Sequence, residues 1–150
     1  MIEANAKWLN WSDADGYEDF GWKDQWVFNI GAQYKPTPKW AIRVGYNYGK
    51  NPVKENNDWE GAFDTVNVQG KTVNRFQYEV LRIAGFPAIV EHHITAGIGY
   101  QITKNISLNL GYMHAFENEI KESGTFFGAD ASVESTLSED SVDFGLTWRF

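Results

Sequence analysis

The stretch Trp26-Val27-Phe28-Asn29-Ile30-Gly31-Ala32-Gln33-Tyr34 decides how the rest of the chain is read. Trp26, Phe28, Ile30, Ala32 and Tyr34 fall at every second position, and Val27, Asn29, Gly31 and Gln33 alternate with them. In a β-strand successive side chains point to opposite faces, so this period sorts the residues onto an apolar face and a mostly small, polar one.

The same pattern recurs outward from this segment. Trp40, Ile42, Val44, Tyr46 and Tyr48 oppose Ala41, Arg43, Gly45, Asn47 and Gly49. Ile94, Ala96, Ile98, Tyr100 and Ile102 oppose His93, Thr95, Gly97, Gly99 and Gln101, and Ile106, Leu108, Leu110 and Tyr112 oppose Ser107, Asn109, Gly111 and Met113. The final segment sets Val142, Phe144, Leu146, Trp148 and Phe150 against Ser141, Asp143, Gly145, Thr147 and Arg149. A weaker opening strand lies near Glu3–Trp11. The result is about six strands of roughly 9–11 residues, the length that crosses a bilayer when tilted. The expected class is all-β: an antiparallel transmembrane β-barrel built as a meander.

A soluble lipocalin-like barrel or a sandwich alternates too. What separates the two readings is the order along the apolar face. Trp40 and Tyr48 flank Ile42 and Val44; Trp26 and Tyr34 flank Phe28 and Ile30. Aromatic ends around an aliphatic middle match the double girdle of a lipid-facing strand. A protein core has no reason to sort residues by depth.

Connection lengths orient the barrel. Residues 35–39 and 103–105 form short turns, and Pro36 and Pro38 suit a turn because proline cannot donate to a ladder. Residues 12–23, 50–90 and 117–139 read as long loops. In outer-membrane barrels short turns are periplasmic and long loops extracellular. Acidic residues concentrate in the long loops, whereas Lys35, Lys39 and Lys104 sit in the short turns.

Composition narrows the function classes. With 20 Asp and Glu against 13 Lys and Arg, the 150-residue chain carries a net charge of -7, which argues against nucleic acid as a partner. It has no Cys, so thiolate chemistry and Cys-based metal sites are excluded. Met1-Ile2-Glu3-Ala4-Asn5 lacks the basic and apolar regions of a signal peptide. No apolar run reaches the roughly 18 residues a membrane helix needs.

Few residues suggest chemistry. His92 and His93 are adjacent, so on a strand they point to opposite faces and cannot chelate one ion together. Asp13-Ala14-Asp15-Gly16 starts like a calcium loop, but the later ligands do not follow at the required spacing. Weak divalent-cation or lipopolysaccharide contacts are all it suggests. The serines of 123–138 have no partner His or acid in a catalytic arrangement, so no enzyme, metal site or cofactor is expected.

The 51–90 loop is the richest candidate. Its second half, Phe76-Gln77-Tyr78-Glu79-Val80-Leu81-Arg82-Ile83-Ala84-Gly85-Phe86-Pro87, is apolar enough to need burial over the barrel mouth or in its lumen. In the functional reading, Phe76, Tyr78, Leu81, Ile83 and Phe86 line a greasy path, with Arg82 or Arg43 meeting a carboxylate.

The C-terminus, Asp143-Phe144-Gly145-Leu146-Thr147-Trp148-Arg149-Phe150, resembles the terminal signal read by the bacterial barrel-assembly machinery. Asp143, Gly145, Trp148 and Phe150 carry that resemblance, and strand addition at a sheet edge is the expected mode. Further resemblance rests on Trp8-Leu9-Asn10-Trp11-Ser12-Asp13, Gly31-Ala32-Gln33-Tyr34-Lys35-Pro36-Thr37-Pro38-Lys39-Trp40, Arg43-Val44-Gly45-Tyr46-Asn47-Tyr48, and Phe86-Pro87-Ala88-Ile89-Val90-Glu91-His92-His93. Through these segments the chain resembles the C-terminal part of FadL/TodX-type outer-membrane transport proteins. The resemblance implies passive transport of long-chain fatty acids or hydrocarbons across the bacterial outer membrane, in contact with membrane lipid and lipopolysaccharide. The alternatives are a porin-like or structural barrel and a soluble lipid-binding β-barrel. Family members have longer chains and a plug. Six strands fall short of the roughly eight of the smallest barrels. The expectation is therefore a partial barrel, completed by a missing N-terminal part or by further copies.

Overall fold

A strand forms where its side chains satisfy two environments and its backbone groups find neighbours. The computed structural model describes residues 1–150. Along the chain lie β1 (Ile2–Leu9), β2 (Gln25–Thr37), β3 (Trp40–Gly49), β4 (Trp59–Glu60), β5 (Thr65–Val68), β6 (Lys71–Asn74), helix α1 (Arg75–Val80), β7 (His92–Gln101), β8 (Ile106–Phe126) and β9 (Ala129–Trp148). The long strands form one antiparallel meander in the order β1-β2-β3-β7-β8-β9. Two-residue β4 joins it as a parallel neighbour of β8, and β5 and β6 form a separate hairpin. The sheet is not closed: β1 is bonded only to β2, and β9 only to β8.

The register carries the alternation across the whole sheet. Tyr34, Ile42, Ile98, Leu110 and Phe144 are paired in turn across β2, β3, β7, β8 and β9. All five are exposed, Tyr34 by 68% and Phe144 by 74%. A continuous apolar face of this extent, uncovered by protein, belongs against lipid or another apolar surface. Trp8 pairs with Trp26 near one margin of this face, and Trp40 pairs with Tyr100 near the other.

Next to that row, Gln33, Arg43, Gly97, Gly111 and Asp143 are paired on the opposite, concave face. Gly99 makes room there: a Cβ would stand 2.8 Å from Asn109 Oδ1 and 3.1 Å from Arg43 Nη1. The concave face is therefore polar and bordered by small residues, and the convex one apolar.

Two connections differ from the sequence reading. Pro36 lies inside β2, not in a free turn, but at the register shift between Tyr34 and Thr37. At a bulge a missing N–H sacrifices no ladder bond. Residues 117–139, read as a long loop, continue β8 and β9 as a hairpin that turns at Phe127 and Gly128, both at positive φ. Between Ala115 and Asn118 the β8 register shifts, so Phe116 and Glu117 face the single residue Ser138. Ala115 opposes Glu139 before the shift, and Ile120 opposes Ser135 after it. Odd residues of β8 face the concave side below the bulge and even ones above it. That switch hides the alternation from a period-two reading.

The 50–91 segment packs on this upper, concave side of the hairpin and supplies the chain's buried apolar core. Val53, Trp59, Ile83 and Ile89 cluster there with Ile120 and Val133. β4 approaches β8 so closely that a methyl at Gly124 would overlap the Trp59 carbonyl and ring. Gly124→Ala should therefore unseat Trp59 at a cost of about 1–3 kcal/mol. The expected readout is faster tryptic cleavage within residues 54–82, with strand content unchanged by circular dichroism. Parent-like protease resistance would contradict this packing.

Candidate functional site

The site is built at the upper end of the sheet, where two connections meet the β8–β9 hairpin. The first, residues 10–24, folds through short 3-10 turns at Trp11–Asp13 and Glu18–Phe20. Its aromatic rings hold one another: Trp11, Tyr17 and Trp22 have centroids 4.6–5.4 Å apart. Ser12 donates to Asp24 Oδ1 from both N and Oγ. The loop is tied to the second connection by a Trp22–Val53 bridge and by Lys23 N–H donating to the Pro52 carbonyl at 2.7 Å.

In the second connection Asn74 caps α1, its side chain accepting from Gln77 N at 3.3 Å. The helix widens into a π-turn at Leu81–Gly85 and ends before Pro87, which cannot continue it. Its inner side carries an ion cluster with almost no solvent. Arg82 Nη2 lies 2.8 Å from Glu79 Oε2 and also pairs with Glu122 of β8; Arg82 and both acids are wholly buried. Arg82 Nη1 donates to the Lys54 carbonyl, and Asn56 N donates to Glu122 Oε1 at 2.7 Å. Arg75 adds a second cation, with Nε 2.6 Å from Glu79. Breaking such a buried pair by losing one partner typically costs about 3–5 kcal/mol.

The residues expected to line a greasy path do not come together. Arg82 is held in the ion cluster and has no free fork for a carboxylate. Ile83 is core. Phe76 packs between Trp59 and Phe126. The Tyr78 hydroxyl donates to the Asp19 carbonyl at 2.7 Å, and burial pushes its pKa up, so it remains a donor. Leu81 is half-exposed beside Gly85. Arg43 lies far down the concave face, donating to Gln33 Oε1 at 2.9 Å and Asn109 Oδ1 at 3.1 Å. Asn47 and His93 meet at 3.1 Å on that face, while His92 lies on the convex face against Tyr46 and Tyr48.

Phe86 alone of that set borders an open apolar cleft of about 560 Å³ between these two connections and β9. Tyr17, Phe20 and Trp22 line it from the first connection, and Leu137 from β9. Phe20 and Phe86 meet at 5.4 Å, 56° apart. Such a concave, aromatic-lined space suits an apolar small molecule. The density of aromatics in 11–22 was the available sequence signal; the acids around them masked it. Below the cleft, the concave face forms a second, wider groove of about 680 Å³ with Arg43, Asn47, Thr95 and Asn109 in its lining.

At the other end of the sheet, Asp143 and Gly145 face the concave groove, and Trp148 is 70% exposed on the convex face beside Ile106. Phe150 lies past the last ladder pair and is fully exposed.

The ion cluster makes the cap sensitive to pH. Burial pushes the Glu122 carboxyl up to about 7, against the lowering by Asn56 N–H and by Arg82. A folded pKa above the unfolded one means that the fold favours the protonated acid. The stabilisation is complete below pH 4.5 and is lost as pH rises through about 7. Resistance of the cap to proteolysis should therefore decline between pH 5 and 8, and Glu122→Gln should flatten the profile; an unchanged slope in that variant would assign it to another group.

Comparison with known proteins gives one match. Residues 2–59 match the model of a family described as outer membrane protein transport protein (OMPP1/FadL/TodX). No curated protein and no solved structure matches the chain. The matched segment contains β1, the aromatic first connection, β2, β3 and the entry to the cap. Over residues 2–59, then, this chain is similar to FadL/TodX-type outer-membrane transport proteins, the family that its residues resemble.

Proposed function

We propose that the chain forms part of an outer-membrane β-barrel that passes hydrophobic compounds, long-chain fatty acids or hydrocarbons, without an energy source. The observation that carries this reading is the apolar cleft at Phe20, Trp22 and Phe86 above a polar concave face. A hydrophobic molecule would leave water at the cleft, where the rings of Phe20, Trp22 and Phe86 converge. The remaining strands of the barrel come from a further part of the polypeptide or from other chains. Such closure would pair the free edges of β1 and β9, which lipid does not tolerate unpaired. The Asp143–Phe150 strand is the segment offered to the barrel-assembly machinery, and the convex face meets lipid, with lipopolysaccharide around the upper end. The roles are binding and passage, not catalysis.

One observation favours a second reading. The concave face carries Asn, Gln, Thr and Gly together with the charged Glu3, Arg43 and Asp143, as the polar lumen of a non-specific aqueous porin would. Uptake separates the two. In cells making the protein, entry of a radiolabelled alkane or long-chain fatty acid should fall about tenfold with Phe20→Asp or Phe86→Asp, at equal outer-membrane abundance. A charged ring replacement removes about 1.4 kcal/mol of apolar binding per tenfold. Unchanged uptake, together with swelling of protein-containing liposomes in small sugars, would support the porin reading instead.

A further inference from the structure

We infer that the mouth cleft admits uncharged hydrophobic molecules and disfavours their carboxylates. The inference rests on the transport reading and narrows its substrate class. The cleft lining holds two charged residues, Asp15 and Glu139, both acids, and no Lys, Arg or His. Asp15 comes from the first connection and Glu139 from β9, so the like charges bracket the aromatic floor from two elements.

Lys23, next to Trp22 in sequence, is exposed and outside the lining, and Arg82, four residues before Phe86, is unable to compensate. Its Nε and Nη2 donate to Glu79 Oε2 at 3.0 and 2.8 Å, its Nη2 also pairs with Glu122, and its Nη1 is taken by the Lys54 carbonyl. The group is wholly buried. Turning it toward a ligand would leave Glu79 and Glu122 as buried acids with only Arg75 beside them. Arg43 belongs to the concave groove, which also includes Glu3 and Asp143, and lies outside the cleft.

A carboxylate entering the cleft would therefore lose water, meet two negative groups and find no fixed donor of positive charge. A hydrocarbon, or a long-chain alcohol with a hydroxyl left at the mouth, loses only its apolar hydration and gains the rings of Phe20, Trp22 and Phe86. The acids also keep this apolar floor from attracting anionic amphiphiles of the surrounding membrane.

The test uses quenching of tryptophan fluorescence, since Trp22 is part of the lining. The full chain in non-ionic detergent is titrated at pH 8 with 1-bromododecane and with 12-bromododecanoate, equal in chain length and differing in charge. The cleft signal is the saturable component that Phe86→Ala removes. Expected is an affinity about tenfold higher for the neutral compound, reduced to about threefold or less in Asp15→Asn/Glu139→Gln by a rise in carboxylate affinity. Equal affinities in the parent would overturn the charge selection and leave the transport reading standing. No saturable component with either compound would overturn the cleft as a binding site, and the selection with it. A preference unchanged in the double variant would overturn the assignment to Asp15 and Glu139.

Discussion

Every peptide group that enters hydrocarbon must bring its hydrogen-bond partner with it. No water is present to substitute, and an unpaired N–H or C=O costs several kcal/mol, so spanning strands must be laterally paired. The rest of this structure follows from that constraint. Pairing fixes the strands side by side, and pleating sends alternate residues to opposite faces. Register then aligns the faces, so that Tyr34, Ile42, Ile98, Leu110 and Phe144 become one row and Gln33, Arg43, Gly97, Gly111 and Asp143 the next. The same constraint applies to the free edges of β1 and β9. They mark where further strands are required for a spanning barrel.

At the upper end of the sheet ordinary globular packing takes over. The bulge at Phe116–Glu117 marks the change: beyond it β8 turns Ile120 and Glu122 toward the concave side, where residues 50–91 cover them. Within this cap an apolar cluster of Val53, Trp59, Ile83 and Ile89 surrounds the Arg82–Glu79–Glu122 ion cluster. A buried ion cluster adds little net stability compared with an apolar replacement, but it tolerates few alternative geometries. It therefore joins α1 to β8 in one arrangement and leaves the apolar cleft open between the first connection, Phe86 and Leu137.

The long strands were legible in the sequence because their two faces differ so sharply. Trp26–Tyr34 and Trp40–Gly49 alternate without interruption, and both strands form where the pattern places them. The upper hairpin was not legible. Its residues 117–139 are polar on the outer side and only sparsely apolar on the inner one, and the bulge shifts the phase between them. The cap showed its need for burial through Phe76–Pro87 but not the partners that supply it. Arg82 illustrates the difficulty. In sequence it is a lone cation in an apolar run, open to a ligand. In space Glu122, 40 residues away, occupies it. The cleft residues Phe20 and Leu137 are likewise far apart in sequence, and no local pattern connects them.

All of this rests on a two-faced sheet, with lipid on the convex side and water on the concave side. The absence of Cys makes single-cysteine spin labelling direct. Labels placed one at a time at positions 40–46 and 107–112, in protein reconstituted into bilayers, are scanned for collision with oxygen and with a water-soluble nickel chelate. Expected is a period of two: Ile42, Val44, Leu108 and Leu110 favour oxygen, and Arg43, Gly45, Asn109 and Gly111 favour the chelate. Uniform access of the chelate to both faces, or accessibility without the period of two, would contradict it.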